Sequence, residues 1–143
     1  MSEYQLEAAI ASLHCAAPTY EITDWAKILE LYEALYRLNP SPIVALNRAV
    51  ALGKAMGPEA GLAELRKLPD PARLKDYPFY PAAQGEFHLL AGRPAEAAKH
   101  FEKTMKLARS RSETNFFERR LEVCRRGAAQ MSVGAGPVGR RAT

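Results

Sequence analysis

Gly85-Glu86-Phe87-His88-Leu89-Leu90-Ala91-Gly92-Arg93-Pro94-Ala95-Glu96-Ala97-Ala98-Lys99-His100-Phe101 is the stretch on which the fold turns. Gly92 ends one helical run. Pro94, a residue tolerated only in a helix's first turn, opens the next. After it Ala97, Ala98, Phe101, Met105 and Ala108 recur at helical steps and share one face. Two helices joined by so short a turn lie side by side. Gly85, seven residues before Gly92, stands where a small residue lets them approach closely. The spacing predicts one helix from about Phe79 to Ala91 and another from Pro94.

The same punctuation recurs toward the N-terminus. Ser41-Pro42 places a capping hydroxyl before a first-turn proline, and Gly57-Pro58 repeats the device. Leu6, Ala9, Ile10 and Leu13 form an i, i+3, i+4, i+7 stripe on a helix spanning roughly 3–16, which Pro18 closes. Thr23 reads as the N-cap of a second helix, with Asp24 at its positive end. The buried stripe of that helix is Trp25, Ile28, Leu29, Tyr32, Leu35 and Leu38. Ile43, Leu46, Ala49 and Val50 read as the inward face of the third, and Leu62, Leu65 and Leu68 as that of the fourth. Ser110 and Glu113 have capping-box spacing for a seventh helix with Phe116, Phe117, Leu121 and Cys124 on its apolar side. No segment shows a period of two. The expected fold is therefore all-α, about seven antiparallel helices.

These helices are self-similar. Aligning Tyr32 with Phe101 gives a separation of 69 residues, about two 34-residue periods, and Gly57 to Gly92 is 35. A small residue in a first helix, a turn glycine, then alanine and an aromatic at fixed steps resembles the tetratricopeptide repeat. The match is best over residues 81–108, fair over 25–40 and weak over 46–68. In such arrays no helix pair buries its apolar face alone, so neighbours stack into one short superhelix. Residues 1–126 are expected to form this repeat domain, with the seventh helix as its cap. Residues 127–143, rich in Gly, Ala, Val and Arg and without apolar periodicity, read as a disordered basic tail.

Composition narrows the function. The chain has 143 residues, 48% hydrophobic and 25% charged, with no run long enough to span a membrane and no signal-peptide pattern at its start. A cytoplasmic location is expected. The net charge of +4 is uneven: residues 1–92 carry 8 Lys/Arg against 11 Asp/Glu, and residues 93–143 carry 12 against 5. A basic end can attract nucleic acid. Its arginines are not interleaved with aromatics, however, and its helical part mixes Glu102, Glu118 and Glu122 with Lys106 and Arg125, so direct DNA contact is not expected. Cys15 and Cys124, 109 residues apart, have no metal or disulfide spacing and read as reduced, buried side chains. His14, His88 and His100 stand alone in sequence. There is no phosphate loop, no nucleophile elbow and no paired acid, so neither an enzyme nor any cofactor or metal is expected.

Partner-binding candidates remain. Asn47 and Arg48 interrupt an Ala/Val-rich helix, and a polar pair there either bonds a neighbouring helix or lines a groove that grips a partner. Asp24, Trp25, Arg119 and Arg120 have similar standing as groove candidates.

A more specific resemblance rests on several blocks. They are Tyr4–His14, Thr23-Asp24-Trp25, Leu31-Tyr32, Pro40-Ser41-Pro42-Ile43-Val44-Ala45-Leu46-Asn47-Arg48-Ala49-Val50-Ala51, Gly57–Leu62, Leu90–Arg93 and Phe116-Phe117-Glu118-Arg119-Arg120-Leu121. Together they resemble the C-terminal, tetratricopeptide-containing extension of a group of extracytoplasmic-function RNA polymerase sigma factors. The resemblance covers residues 4 to about 124, and the Pro40–Ala51 block is its most specific part. It implies a non-catalytic regulatory module of a bacterial transcription factor, contacting the sigma core domains or RNA polymerase. A general peptide-binding or self-associating repeat is the alternative that the residues leave open.

Overall fold

The computed structural model describes residues 2–16 and 24–142, with the side chains of 12–16 and 132–142 outside the description. Thr23, the expected cap, and the side chains of His14 and Cys15 thus lie outside it. Seven α-helices account for most of the described chain, and no strand occurs among the described residues. They fall into two compact units, Met1–Lys75 and Asp76–Thr143.

The first unit holds α1 (Glu3–Ala16), α2 (Trp25–Leu38), α3 (Pro42–Met56), α4 (Pro58–Arg66) and a 3₁₀ turn at Pro71–Leu74. Each helix packs on the one before it, and the 3₁₀ turn packs on α3. The cap of α2 is Asp24, one residue later than expected: its carboxylate accepts the Lys27 backbone N–H at 3.0 Å. Ser41 caps α3 as expected, its hydroxyl accepting the Val44 N–H at 3.2 Å ahead of Pro42. Gly57 both closes α3 and opens α4 at φ 117°, a conformation that a side chain would strain.

The core of this unit is aliphatic: Leu6, Ile10, Ile28, Leu35, Val44 and Ala51, with Trp25, Leu29 and Tyr32 against its edge. Two expected core positions are outside it. Leu38 is 55% exposed at the end of α2, and Ile43 is 45% exposed at the start of α3. The buried face of α3 is Val44, Ala45, Leu46, Ala49, Ala51 and Gly53, with Val50 only partly covered. Contacts on both sides of α3, to α2 and to α4, widen that face beyond a single stripe.

The second unit holds α5 (Phe79–Leu90), α6 (Pro94–Leu107) and α7 (Arg111–Ala142), with α6 packed against both others. Gly92, at φ 81°, closes α5, and the Arg93 N–H reaches back to the His88 carbonyl at 2.8 Å in the pattern of a left-handed helix cap. Rings dominate the core: Phe101 and Phe117 are fully buried with Ala82, Ala97, Leu121 and Cys124. A Cβ added at Gly85 would stand 2.7 Å from the Phe101 ring, which is why only glycine fits there.

Ser110 accepts the Glu113 N–H at 3.1 Å, as the capping box predicts. The reciprocal bond shifts by one residue, the Glu113 carboxylate taking the N–H of Arg109 at 2.8 Å. Phe116, expected inside, is 46% exposed beside the buried Phe117. The helix α7 runs from Arg111 to Ala142. A Cβ on Gly127 would meet Pro94 at 3.2 Å, so the missing side chain lets α7 pass close to the start of α6.

Candidate functional site

Within the first unit a groove of about 350 Å³ opens among α1, α2 and α3. Its walls are Ile10, Ala11, Leu35, Ile43 and Val44, and its polar groups are Glu7, Tyr32 and Asn47. Helical spacing explains the set. Glu7, Ile10 and Ala11 share one face of α1, Tyr32 and Leu35 one face of α2, and Ile43, Val44 and Asn47 one face of α3. Burial, and then the nearby Glu7 carboxylate, push the Tyr32 hydroxyl above the usual tyrosine range, so it stays protonated at neutral pH. Glu7 is the one charged residue in the described lining, and it has no ion-pair partner among the described residues.

The structure separates Asn47 from Arg48. The Asn47 side chain lines the groove and makes no hydrogen bond to the described residues. Arg48 faces α4, where its guanidinium donates to Glu64 at 3.1 Å and lies 6.0 Å from the centre of the Tyr36 ring. Of the two readings offered by this pair, Asn47 takes the groove and Arg48 the inter-helix bond. Asp24 is engaged as the α2 cap, and the Trp25 ring carries the Lys54 ammonium 5.7 Å above it. Neither lines the groove.

In the second unit the adjacent arginines also part. Arg120 reaches across to α5 and donates to both oxygens of Glu86, at 2.5 and 2.8 Å. Arg119 lies on the outer face of α7, in a shallow depression with Asn115, Glu118, Glu122 and Arg125. Those side chains alternate in sign, so the depression has no dominant charge. Cys124 is a buried free thiol, its ionisation pushed up chiefly by burial.

One pairing escaped the sequence reading. His88 on α5 and His100 on α6 stack with ring centres 5.1 Å apart and planes 8° from parallel. The Arg93 guanidinium donates to His88 Nδ1 at 3.0 Å. Burial, and then the charge of His88, hold His100 below the usual histidine range. Residues twelve apart meet because the Gly92 turn folds α6 back along α5, a signal available only once that turn is laid out as a hairpin. Among the described residues no group of three or more His, Cys, Asp or Glu is placed to hold a metal ion, and no helix is long and apolar enough to cross a membrane.

No protein-family model matches the chain. Over 119 residues it is 44% identical to an uncharacterized protein of Rhizobium meliloti (strain 1021). That stretch is 83% of this chain but 28% of the relative, so the chain spans less than a third of the relative's length.

Proposed function

We propose that this chain is a non-catalytic regulatory module of a bacterial sigma factor, acting on transcription initiation through contacts with the sigma core domains or RNA polymerase. The observation that carries the reading is the Pro40–Ala51 block, its most specific sequence feature. That block folds as α3, and its Asn47 lines an open groove and bonds none of the described residues. A polar residue placed so inside an apolar helix serves recognition better than folding. A relative more than three times as long as the matched stretch agrees with a module joined to other domains.

The test is a calorimetric titration of the chain against a separately produced fragment of its parent protein carrying the polymerase- and promoter-binding regions. Saturable binding that weakens on Asn47→Ala is expected. No heat at high micromolar concentration removes the sigma reading. A concentration-dependent mass in ultracentrifugation would then favour self-association.

A further inference from the structure

We propose that the α1–α3 groove docks a lysine- or arginine-bearing segment of a partner polypeptide. The cation's methylene stem lies along Ile10, Ile43 and Val44, and its charged head is held at Glu7. The proposal deepens the interaction-module reading and rests on it.

Three observations point to this occupant. The first is size: about 350 Å³ accepts one or two side chains and is at the small end of ligand sites. The second is charge. Glu7 is the one charged residue in the described lining, so an acidic segment finds repulsion there and a basic one finds a counter-charge. Arg48, the cation next in sequence to the lining Asn47, is committed to Glu64. The third is the mixed wall. Ile43 is exposed, and with the edges of the largely buried Val44 and Ile10 it supplies the aliphatic part of a lining that also holds a carboxylate and a phenol. Long basic side chains combine an apolar stem with a charged tip and match such a lining. Glu7 and Tyr32 line the same groove and supply its carboxylate and its phenol. The Asn47 amide, offering both a donor and an acceptor, is suited to the partner's backbone.

The experiment is selection from a displayed library of random twelve-residue peptides on the immobilised chain. Fluorescence anisotropy on the best selected peptide follows, with wild type, Glu7→Gln and Glu7→Arg. Enrichment of Lys/Arg next to aliphatic residues is expected. So is binding about five- to tenfold weaker in Glu7→Gln, the loss of one charge-assisted contact, and undetectable in Glu7→Arg. Circular dichroism checks the fold of each variant, and Glu7→Gln, isosteric at an exposed position, keeps the test open if the arginine variant unfolds. No enrichment of basic residues, no selected peptide, or equal affinity in Glu7→Gln overturns the proposal. The sigma titration separates the two failures. Binding to the sigma fragment that ignores Glu7→Gln sinks the groove and spares the module reading. Glu7-dependent peptide binding without sigma binding does the reverse.

Discussion

The two units of the chain bury their helices by different means. The first spreads its core over branched aliphatics on three helices, Leu6 and Ile10, Ile28 and Leu35, and Val44. The second concentrates its core on phenylalanine rings, with Phe101 pressed onto the backbone of Gly85 and Phe117 lying edge-on to Phe79 and Phe116. An aliphatic core yields by small shifts of many side chains, whereas a ring in a glycine socket has no neighbour that can give way. The expected consequence is unequal sensitivity. Phe101→Ala should cost about 3–5 kcal/mol in urea unfolding, against about 0.5–1.5 for Ile28→Val in the first unit. The sharper probe is Gly85→Ala, which improves helix propensity by up to about 1 kcal/mol yet drives a methyl into the ring. A net loss of about 1–2 kcal/mol is expected. A neutral or stabilised Gly85→Ala would mean that the ring shifts freely, and the contrast between the units would collapse.

The inter-helix ion pairs repeat the contrast at a smaller scale. Arg120 with Glu86 and Arg48 with Glu64 have nearly equal side-chain exposure, 29% and 27% against 28% and 24%. Solvent screening therefore does not distinguish them, and geometry does. Glu86 receives two donors of one guanidinium, and Glu64 receives one at 3.1 Å. Double-mutant cycles should give a coupling of about 1–2 kcal/mol for the forked pair and about 0.5 for the single bond. Equal couplings would show that the fork adds nothing here.

What the sequence made legible follows the same division. Helix boundaries were readable because Ser41-Pro42, Gly57-Pro58 and Gly92-Arg93-Pro94 are backbone statements whose meaning is local. The Gly85 socket was readable too, since it is fixed by its distance from the turn. The face of α3 was only partly legible: Leu46 and Ala49 are buried as expected, but Ala45 and Ala51 offer little contrast with their neighbours, so an isoleucine at 43 outranked them. The Arg120–Glu86 pair, 34 residues apart, and the His88–His100 stack depend on which helices lie side by side, which single-helix periodicity does not express. Gly127, which reads in sequence as the start of a tail, packs closely on Pro94. Of the groove, Asn47 was legible as a polar interruption. Glu7 was not, since an exposed acid on a surface helix is ordinary.

The histidine stack gives the second unit a pH dependence in the acid range. His100 titrates below the usual histidine range when folded, because burial and the neighbouring His88 disfavour its charge, although Glu96 pulls the other way and Lys103 and Lys99 add to the depression. The folded state thus binds its proton less readily than the unfolded chain does. The stabilising contribution is present above the unfolded pKa near 6.5 and is lost as pH falls through the folded value. Melting followed from pH 7.5 to 5 should show Tm falling in acid, with a shallower slope in His100→Gln. An unchanged slope would assign the acid sensitivity to other groups.

The smallest expected effect is the most informative about function. Asn47→Ala removes an amide that bonds none of the described residues, in a helix where alanine is the better former by about half a kcal/mol. Stability should stay within about 0.5 kcal/mol of wild type or rise slightly, while Arg48→Ala next to it loses the Glu64 bond and falls by about 0.5–1 kcal/mol. The contrast between adjacent residues is the point. A structural residue registers in urea unfolding, and a recognition residue registers in partner binding alone. If Asn47→Ala unfolds the chain more readily than Arg48→Ala does, the amide is serving the fold, and the groove loses the residue that first drew attention to it.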